Sequence, residues 1–375
     1  MTPRFLQIHT LTGYSAALLN RDDNGLAKRL PYGGAIRTRV SSQCLKRHWR
    51  MADDVHSLHT IDGAEAARRS REAVTHEIIA PLTVSHGADI AKAIGDAFQL
   101  AVYGDKGHSR TSRQILLLGA PELRWLKSEA ERLAGEAGGD AKQAAELAKD
   151  WHKAFRANAK AMREATALPG GLTGALFGRM VTSDPEANIA APVHVAHSFT
   201  VHPAESELDF YAAVDDLDPE EGAGNLGETE LTSGLYYGYV VIDLAGLLSN
   251  LGGDGDMAGQ VVHNLIHLIA EVTPGAKLGS TAPYGRAGFM MVEAGDRQPR
   301  SLAEAFRVPC KPDLGSAVAA LTGQLARFDE CYATGEERHA MSLANGDLDG
   351  MTRGGLADLA RFGAGIAGQG GERQA

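Results

Sequence analysis

Residues Asn20–Arg50 read NRDDNGLAKRLPYGGAIRTRVSSQCLKRHWR. Eight of them are Lys or Arg (Arg21, Lys28, Arg29, Arg37, Arg39, Lys46, Arg47, Arg50) against two acids, Asp22 and Asp23, a local balance of +6 in a chain of net charge −10. The Gly33-Gly34 pair marks a turn, Ala35–Val40 alternates as a strand does, and Ser41 and Ser42 open a helix carrying Lys46, Arg47 and Arg50. A helix start presents unpaired N–H groups and the positive end of its dipole, so this order of parts makes a cradle for phosphate. Serine is also an ordinary N-cap, and basic residues on a helix commonly face water. The stretch alone leaves both readings open.

Working outward, 375 residues with 44% hydrophobic content suffice for two domains or for one core with large insertions. No apolar run approaches the roughly 20 residues that span a bilayer. The opening MTPRFLQIHTL is too short and polar for a secretory signal, so a soluble, cytoplasmic protein without membrane contact is expected. Cys44, Cys310 and Cys331 lie far apart without CxxC spacing, which suggests neither a disulfide framework nor a zinc site. The acidic total argues against a nucleic-acid binder, but its distribution argues the other way. Between Met180 and Ala276 there is no Lys or Arg and there are sixteen Asp and Glu, so the remainder of the chain is net +6.

Phe5–Leu11 reads as a strand and Ser42 to about Asp54 as the first helix. From Asp62 to about Gly139 the pattern is mainly helical and reads as an insertion. A helix expected over Asp140–Ala165 sets Lys142, Lys149, Lys153, Arg156, Lys160 and Arg163 in one stripe, with Leu147, Trp151, Phe155 and Met162 opposite. Such a stripe is either a solvated face or a ridge that tracks phosphates. Strands are expected at Leu176–Thr182 and Val193–Val201. An acidic, weakly periodic excursion follows, and then LTSGLYYGYVVIDLA, apolar on both faces and so a buried strand. A helix over Met257–Val272 stops at Pro274-Gly275, and a loop with Lys277 leads to a strand at Phe289–Glu293. Helices near Ser301–Arg307, Ser316–Thr334 and Gly355–Arg361 precede a tail, GIAGQGGERQA, expected to be disordered.

Signature catalytic motifs are absent: no Walker A, no GxGxxG after a strand, no HExxH and no GxSxG. His194 and His202 share one strand face while His197 points to the other. His263 and His267 share a helix face with no third imidazole or carboxylate placed beside them, so no metal site and no cofactor are expected. Asp22 and Asp23, beside the cradle, either hold a divalent ion for RNA cleavage or orient neighbouring arginines.

NRDD at Asn20, the GG and basic strand before SSQCLKR, LFGRM at Leu176, AVDDL, NLGETELTSG and PGAK at Pro274 together resemble the backbone subunit of the type I-E CRISPR Cascade complex, the CasC family. The resemblance implies an α+β fold shaped as a right hand: an RRM-like (ferredoxin-like) palm, inserted helical fingers and a protruding thumb hairpin. It divides the chain into palm (1–57), fingers (58–174), palm strands (175–197), thumb (198–230), the remaining palm with C-terminal helices (231–365) and a tail (366–375). It implies a non-enzymatic scaffold, with no catalytic residues, whose copies, usually six, stack head to tail along a CRISPR RNA beside other Cascade subunits and present the guide to target DNA. By position, RNA contacts would fall on Arg21, Ser41, Ser42, Gln43, Lys46, Arg47 and Lys277. Weaker DNA contacts would fall on the fingers at Lys142, Lys149, Lys153, Arg156 and Lys160. Two alternatives stand beside it: an RNA-cleaving subunit of type III kind using Asp22 or Asp23, and a stand-alone RRM-like binder.

Overall fold

The computed structural model describes residues 3–154, 157, 159–160, 162, 168–181, 184–214, 223–346 and 348–369. In chain order the strands are β1 (Phe5–Ala17), β2 (Arg29–Tyr32), β3 (Ala35–Val40), β4 (Ala67–Ser70), β5 (Leu116–Gly119), β6 (Val193–Val195), β7 (Ser198–Thr200), β8 (Glu205–Val214), β9 (Ala223–Asp243), β10 (Ala287–Gly295), β11 (Glu337–Ser342) and β12 (Thr352–Arg353). The helices are α1 (Ser42–Arg50), α2 (Ala80–His86), α3 (Ala88–Tyr103), α4 (Ala120–Glu136), α5 (Ala141–Lys153), α6 (Gly171–Phe177), α7 (Leu244–Asn250), α8 (Gly255–Glu271), α9 (Leu278–Thr281), α10 (Leu314–Tyr332) and α11 (Leu356–Gly368). They fall into two compact units: Met1–Thr60, Val193–Ala245 and Gly255–Ala375 form one, Ile61–Pro192 and Gly246–Asp254 the other.

The first unit is built on a sheet in the order β12-β11-β10-β1-β9-β7-β3-β2, with β6 and β8 also paired to β9. β1 lies antiparallel between β9 and β10, with Ile8 opposite both Val240 and Val292. Being central, it is buried on both faces from Phe5 to Thr12, and its residues alternate between two cores. On one face Leu11, Tyr237, Phe289 and Met291 pack with Phe306, Leu321 and Leu325, the last two from α10. That face also buries charge. His9 Nε2 lies 3.0 Å from Glu293 Oε2, and Glu293 accepts from Arg300 at 2.6 and 2.8 Å and from Arg338 at 2.7 Å. Burial alone would raise the Glu293 carboxyl, but Arg300 and His9 outweigh it and hold it well below the usual carboxylate range. Burial lowers His9, so the neutral ring fits, with Nε2–H donating to Glu293 and Nδ1 accepting from Tyr237 OH at 2.9 Å. On the other face α8 and α11 cross closely: a Cβ at Gly363 would stand 2.5 Å from Ile266 Cδ1.

The second unit pairs β4 with β5, Arg68 opposite Leu118, and packs α2–α5 around Ile78, Ile94, Phe98, Leu126, Leu133 and Trp151. The rings of Phe98 and Trp151 stack at 4.0 Å. Glu122, three residues into α4, accepts from the Gly119 N–H at 2.9 Å and from Arg179 at 2.7 and 2.6 Å; acid and base are both 2% exposed.

Several expectations change. α1 stops at Arg50 rather than Asp54, and β1 runs on to Ala17. The first part of the helical insertion contains β4, because Arg68 and Arg69 pair across to the apolar β5 instead of continuing a helix. LFGRM is not a strand. Gly171–Phe177 is a helix ended by Gly178 at φ +75°, after which Arg179 turns inward to Glu122, so residues 175–192 belong with the second unit and not with the sheet. The expected strand over Val193–Val201 is split into β6 and β7. The tail is helical as far as Gly368, where Leu359, Ala360 and Gly363 are buried. β11, unanticipated, is held by its register on β10.

Candidate nucleic-acid interface

The loop after β1 is built from its own polar residues. Asp22 Oδ1 accepts from the N–H groups of Asn24 and Leu26 at 2.9 and 3.0 Å, while the Asp22 N–H donates to Leu26 O at 2.7 Å. This is a tight Asx turn, closed with Gly25 at φ +88°. It folds the loop back so that Lys28 N donates to Asn20 O at 2.9 Å and Arg21 pairs with Ala27. Asn20 then fixes the loop to the helix start, its Oδ1 accepting from the Ser41 N–H at 2.9 Å. Ser41 is the N-cap of α1 and its Oγ accepts from Cys44 N at 3.3 Å. Among the described residues no acceptor faces the N–H groups of Ser42 and Gln43, so this helix start keeps donors for an outside anion. Arg21, Gln43 and Arg47 are exposed, Lys28 and Lys46 half-buried, and Ser41 and Ser42 buried.

The eight basic residues divide into different roles. Arg37 is fully buried and is part of the fold: its guanidinium donates to the carbonyls of Tyr32 (3.3 Å), Thr200 (3.0 Å), Phe306 (2.9 Å) and Arg307 (3.4 Å). Nearby, Gly33 has φ +61°, and a Cβ there would fall 1.6 Å from Arg307 O. Arg29 is ion-paired to the buried Glu230, whose other oxygen accepts from Ala27 N at 2.6 Å. Arg39 lies 3.0 Å from His197 Nδ1. The sequence counted all eight as one field, but burial removes Arg37 from it and Glu230 offsets Arg29.

The loop carrying Lys277 reaches the same neighbourhood. Gly275 N donates to His48 Nε2 at 3.4 Å and Ala276 N to Leu18 O at 2.9 Å, docking the loop on α1 and on the end of β1. Lys277 Nζ donates to Thr229 Oγ1 and lies 5.4 Å from the Tyr211 ring centre. Thr229 and Glu230 are adjacent on β9, so the two faces of one strand hold Lys277 and Arg29. The elements that carry the expected RNA contacts Arg21, Ser41, Ser42, Gln43, Lys46, Arg47 and Lys277 are therefore tied together: the Arg21 loop to the α1 start through Asn20, the Lys277 loop to the last turn of α1 through His48, and Lys277 itself to β9 through Thr229.

The acidic excursion is that hairpin, and it starts at Glu205, since Ser198–Thr200 are in the sheet as β7. Its register sets Glu205, Glu207, Asp209 and Tyr211 on one face with Ser233, Leu231, Thr229 and Gly227. The other face carries Leu208 and Phe210 with Glu230, Glu228 and Leu226, and its apolar members are about 60% exposed. These exposed apolar residues were missed in the sequence, though ESELDF alternates with period two.

On α5, Lys142, Lys149 and Lys153 are exposed opposite buried Ala144, Ala148 and Trp151, as the stripe requires, and Lys153 pairs with Asp150 at 2.7 Å. The continuous helix over Asp140–Ala165 is not formed, because Ala154 caps α5. Lys160 is exposed; Arg156 and Arg163 lie outside the described residues.

The histidine expectations divide. His194, His197 and His202 do not converge: His202 is buried, with Nε2 accepting from Leu235 N at 3.1 Å. His263 and His267, however, have a third imidazole beside them, His56 from the segment after α1, stacked on His267 with ring centres 3.6 Å apart. A residue 207 positions away could not be paired with them by spacing.

A family model described as CT1975-like protein matches residues 6–361. A chain solved as "CRISPR RNA-guided surveillance complex, pre-nicking" is 25% identical, aligns over 96% of this chain and 100% of its own, and superposes with a TM-score of 0.78. A second, solved as "CRISPR RNA-guided surveillance complex", is 22% identical over 97% and 99% with a TM-score of 0.59, a likeness of fold. No curated protein matches in sequence. The family resemblance carried by NRDD, LFGRM and PGAK agrees with the first match, and with the family model covering nearly the whole length the chain belongs to the CT1975-like protein family.

Proposed function

We propose that the chain is a non-enzymatic backbone subunit of a Cascade-type CRISPR surveillance complex, gripping the guide RNA by its sugar-phosphate backbone. The observation that carries this is that the Asn20–Lys28 loop is tied to the α1 start, and that the Lys277 loop, more than 200 residues on, docks on the last turn of α1, while both loops bond to neighbouring residues of one hairpin strand. Each supplies backbone N–H groups or cations and none a base-reading array, as suits a protein that holds phosphates while pairing reads sequence. In this reading the first unit is the RRM-like palm, the second the fingers and the β8–β9 hairpin the thumb. Copies of the chain, six in the family's usual arrangement, join head to tail along the guide in the cytoplasm. The acidic hairpin and the basic cradle are unlike surfaces, which an open head-to-tail contact requires. The Lys142, Lys149, Lys153 and Lys160 side of the fingers would meet target DNA.

The Asx turn supports a scaffold over a nuclease, because Asp22 Oδ1 already accepts two N–H groups. The test is to co-express the chain with its partner subunits and a CRISPR array. Wild type should carry a discrete repeat-derived RNA, and Lys46→Glu with Arg47→Glu should lose most of it; full retention would overturn the cradle. Incubating the assembled complex with complementary RNA and Mg²⁺ should give no cleavage. Regular cuts abolished by Asp22→Ala or Asp23→Ala would establish the nuclease instead.

A further inference from the structure

We propose that His56, His263 and His267 form a site for a divalent transition metal of the Zn²⁺ class, fastening the segment after α1 onto α8. His263 and His267 are one turn apart on α8 and share a face. His56 reaches them from the other element, and one ring nitrogen from each lies within 4.8 Å of one from each of the others. The His263 ring centre is 5.0 Å from that of His267 and 5.6 Å from that of His56. Imidazole is a preferred ligand of Zn²⁺, Ni²⁺, Co²⁺ and Cu²⁺, and three imidazoles leave a fourth position for water or a carboxylate.

The surroundings fit such an ion. His267 Nδ1 faces Glu271 Oε2 at 3.4 Å and His263 Nδ1 faces the Asn264 side-chain carbonyl at 3.2 Å, which leaves Nε2 of each as the ligand atom. An acceptor behind the second ring nitrogen is the usual support of a metal-bound imidazole. His56 Nδ1 is shut off from solvent without a hydrogen-bond partner, with Asp54 Oδ1 3.5 Å away. Asp54 and Glu271 offset the charge of a dication. Arg286, which pairs with Glu271 at 3.3 Å, is largely exposed.

Binding also sets a geometric demand. Metal–nitrogen distances of about 2.0–2.1 Å place tetrahedral ligand atoms roughly 3.4 Å apart. The widest pair must therefore close, and the His56 ring must turn out of its parallel stack. The His56 side chain is 25% exposed and stands on a loop, so it has room to turn, whereas α8 holds the other two. The consequence is local: α1, which carries Lys46 and Arg47, ends six residues before His56, and the ion would pin the chain just beyond it. Between the two elements Asn264 Nδ2 donates to Ser57 O at 3.2 Å.

The full chain, stripped with chelator, is titrated with Co²⁺ and then Zn²⁺. Expected are visible ligand-field bands saturating at one equivalent, their displacement by Zn²⁺, and a rise in melting temperature with either ion. His56→Gln and His263→Gln, each checked for native circular dichroism, should lose the bands, while His59→Gln, an exposed histidine on the same segment, should keep them. Absent bands, or bands of equal strength in a folded His56→Gln or His263→Gln protein, would overturn the site. Neither readout depends on RNA, so the cradle can fail its own test without touching this one.

Discussion

Neutralising Lys46 and Arg47 together, as Lys46→Gln with Arg47→Gln, tests the cradle through its salt dependence. Lys46 and Arg47 follow Ser42 and Gln43 by four residues, one turn further along α1 on the same faces, so both should meet phosphates of one bound strand. Each phosphate contact to single-stranded nucleic acid contributes about 0.7 to the slope of log K against log salt, so losing two lowers it by about 1.4. Over a fourfold rise in salt the double variant should then weaken by about sevenfold less than wild type, while binding less tightly at low salt. Filter binding of a short single-stranded RNA across a salt series measures this, with Lys106→Gln plus Lys127→Gln in the second unit as a charge-matched control. Parallel slopes for the double variant and wild type would refute the phosphate assignment, even if affinity fell, because a loss without a slope change is a folding effect.

Other perturbations separate structure from binding. Arg37→Met strands carbonyls of Tyr32, Thr200, Phe306 and Arg307 in the interior and should cost roughly 3 kcal/mol in urea unfolding; a loss under 1 kcal/mol would mean that water replaces the guanidinium. Charge reversal at Lys142, Lys149 and Lys153 should leave guide loading intact and weaken capture of duplex DNA by the assembled complex, and failure to load guide would refute the placement. Glu293 has a folded pKa below its unfolded value near 4.5, so its contribution is complete above that pH and is lost as pH falls further. Glu293→Gln should therefore be less stable than wild type at neutral pH, and the gap should narrow in acid melts; a constant gap from pH 7 to 3 would contradict the network.

What the sequence disclosed follows from which forces are local. The turn at Gly33-Gly34, strand β3, the Ser41 cap and α8 were all readable, since each depends on neighbours within a few residues. LFGRM misled because a short apolar run fits strand or buried helix alike, and the deciding contact, Arg179 with Glu122, spans 57 residues. The basic stretch was legible as a cluster of charge but not in its division of labour. Nothing in the local pattern says that Arg37 points inward to carbonyls, or that Glu230, some 200 residues on, pairs with Arg29. For the same reason His263 and His267 looked incomplete: their third neighbour comes from another part of the chain.

β9 is one uninterrupted strand of 21 residues, pairing with β8 at its start and with β1 at its end. The hairpin is therefore a cantilever without a hinge at its root, and its aim is inherited from the twist of the sheet. Because side chains alternate strictly, removing a single residue near Glu228 would turn the outer arm over, sending the apolar face to the acidic side while the inner half stayed fixed by Ile242 and Val240. Length changes in this arm should thus be tolerated only in steps of two, matched on β8, so the reach of the hairpin can evolve while its handedness cannot.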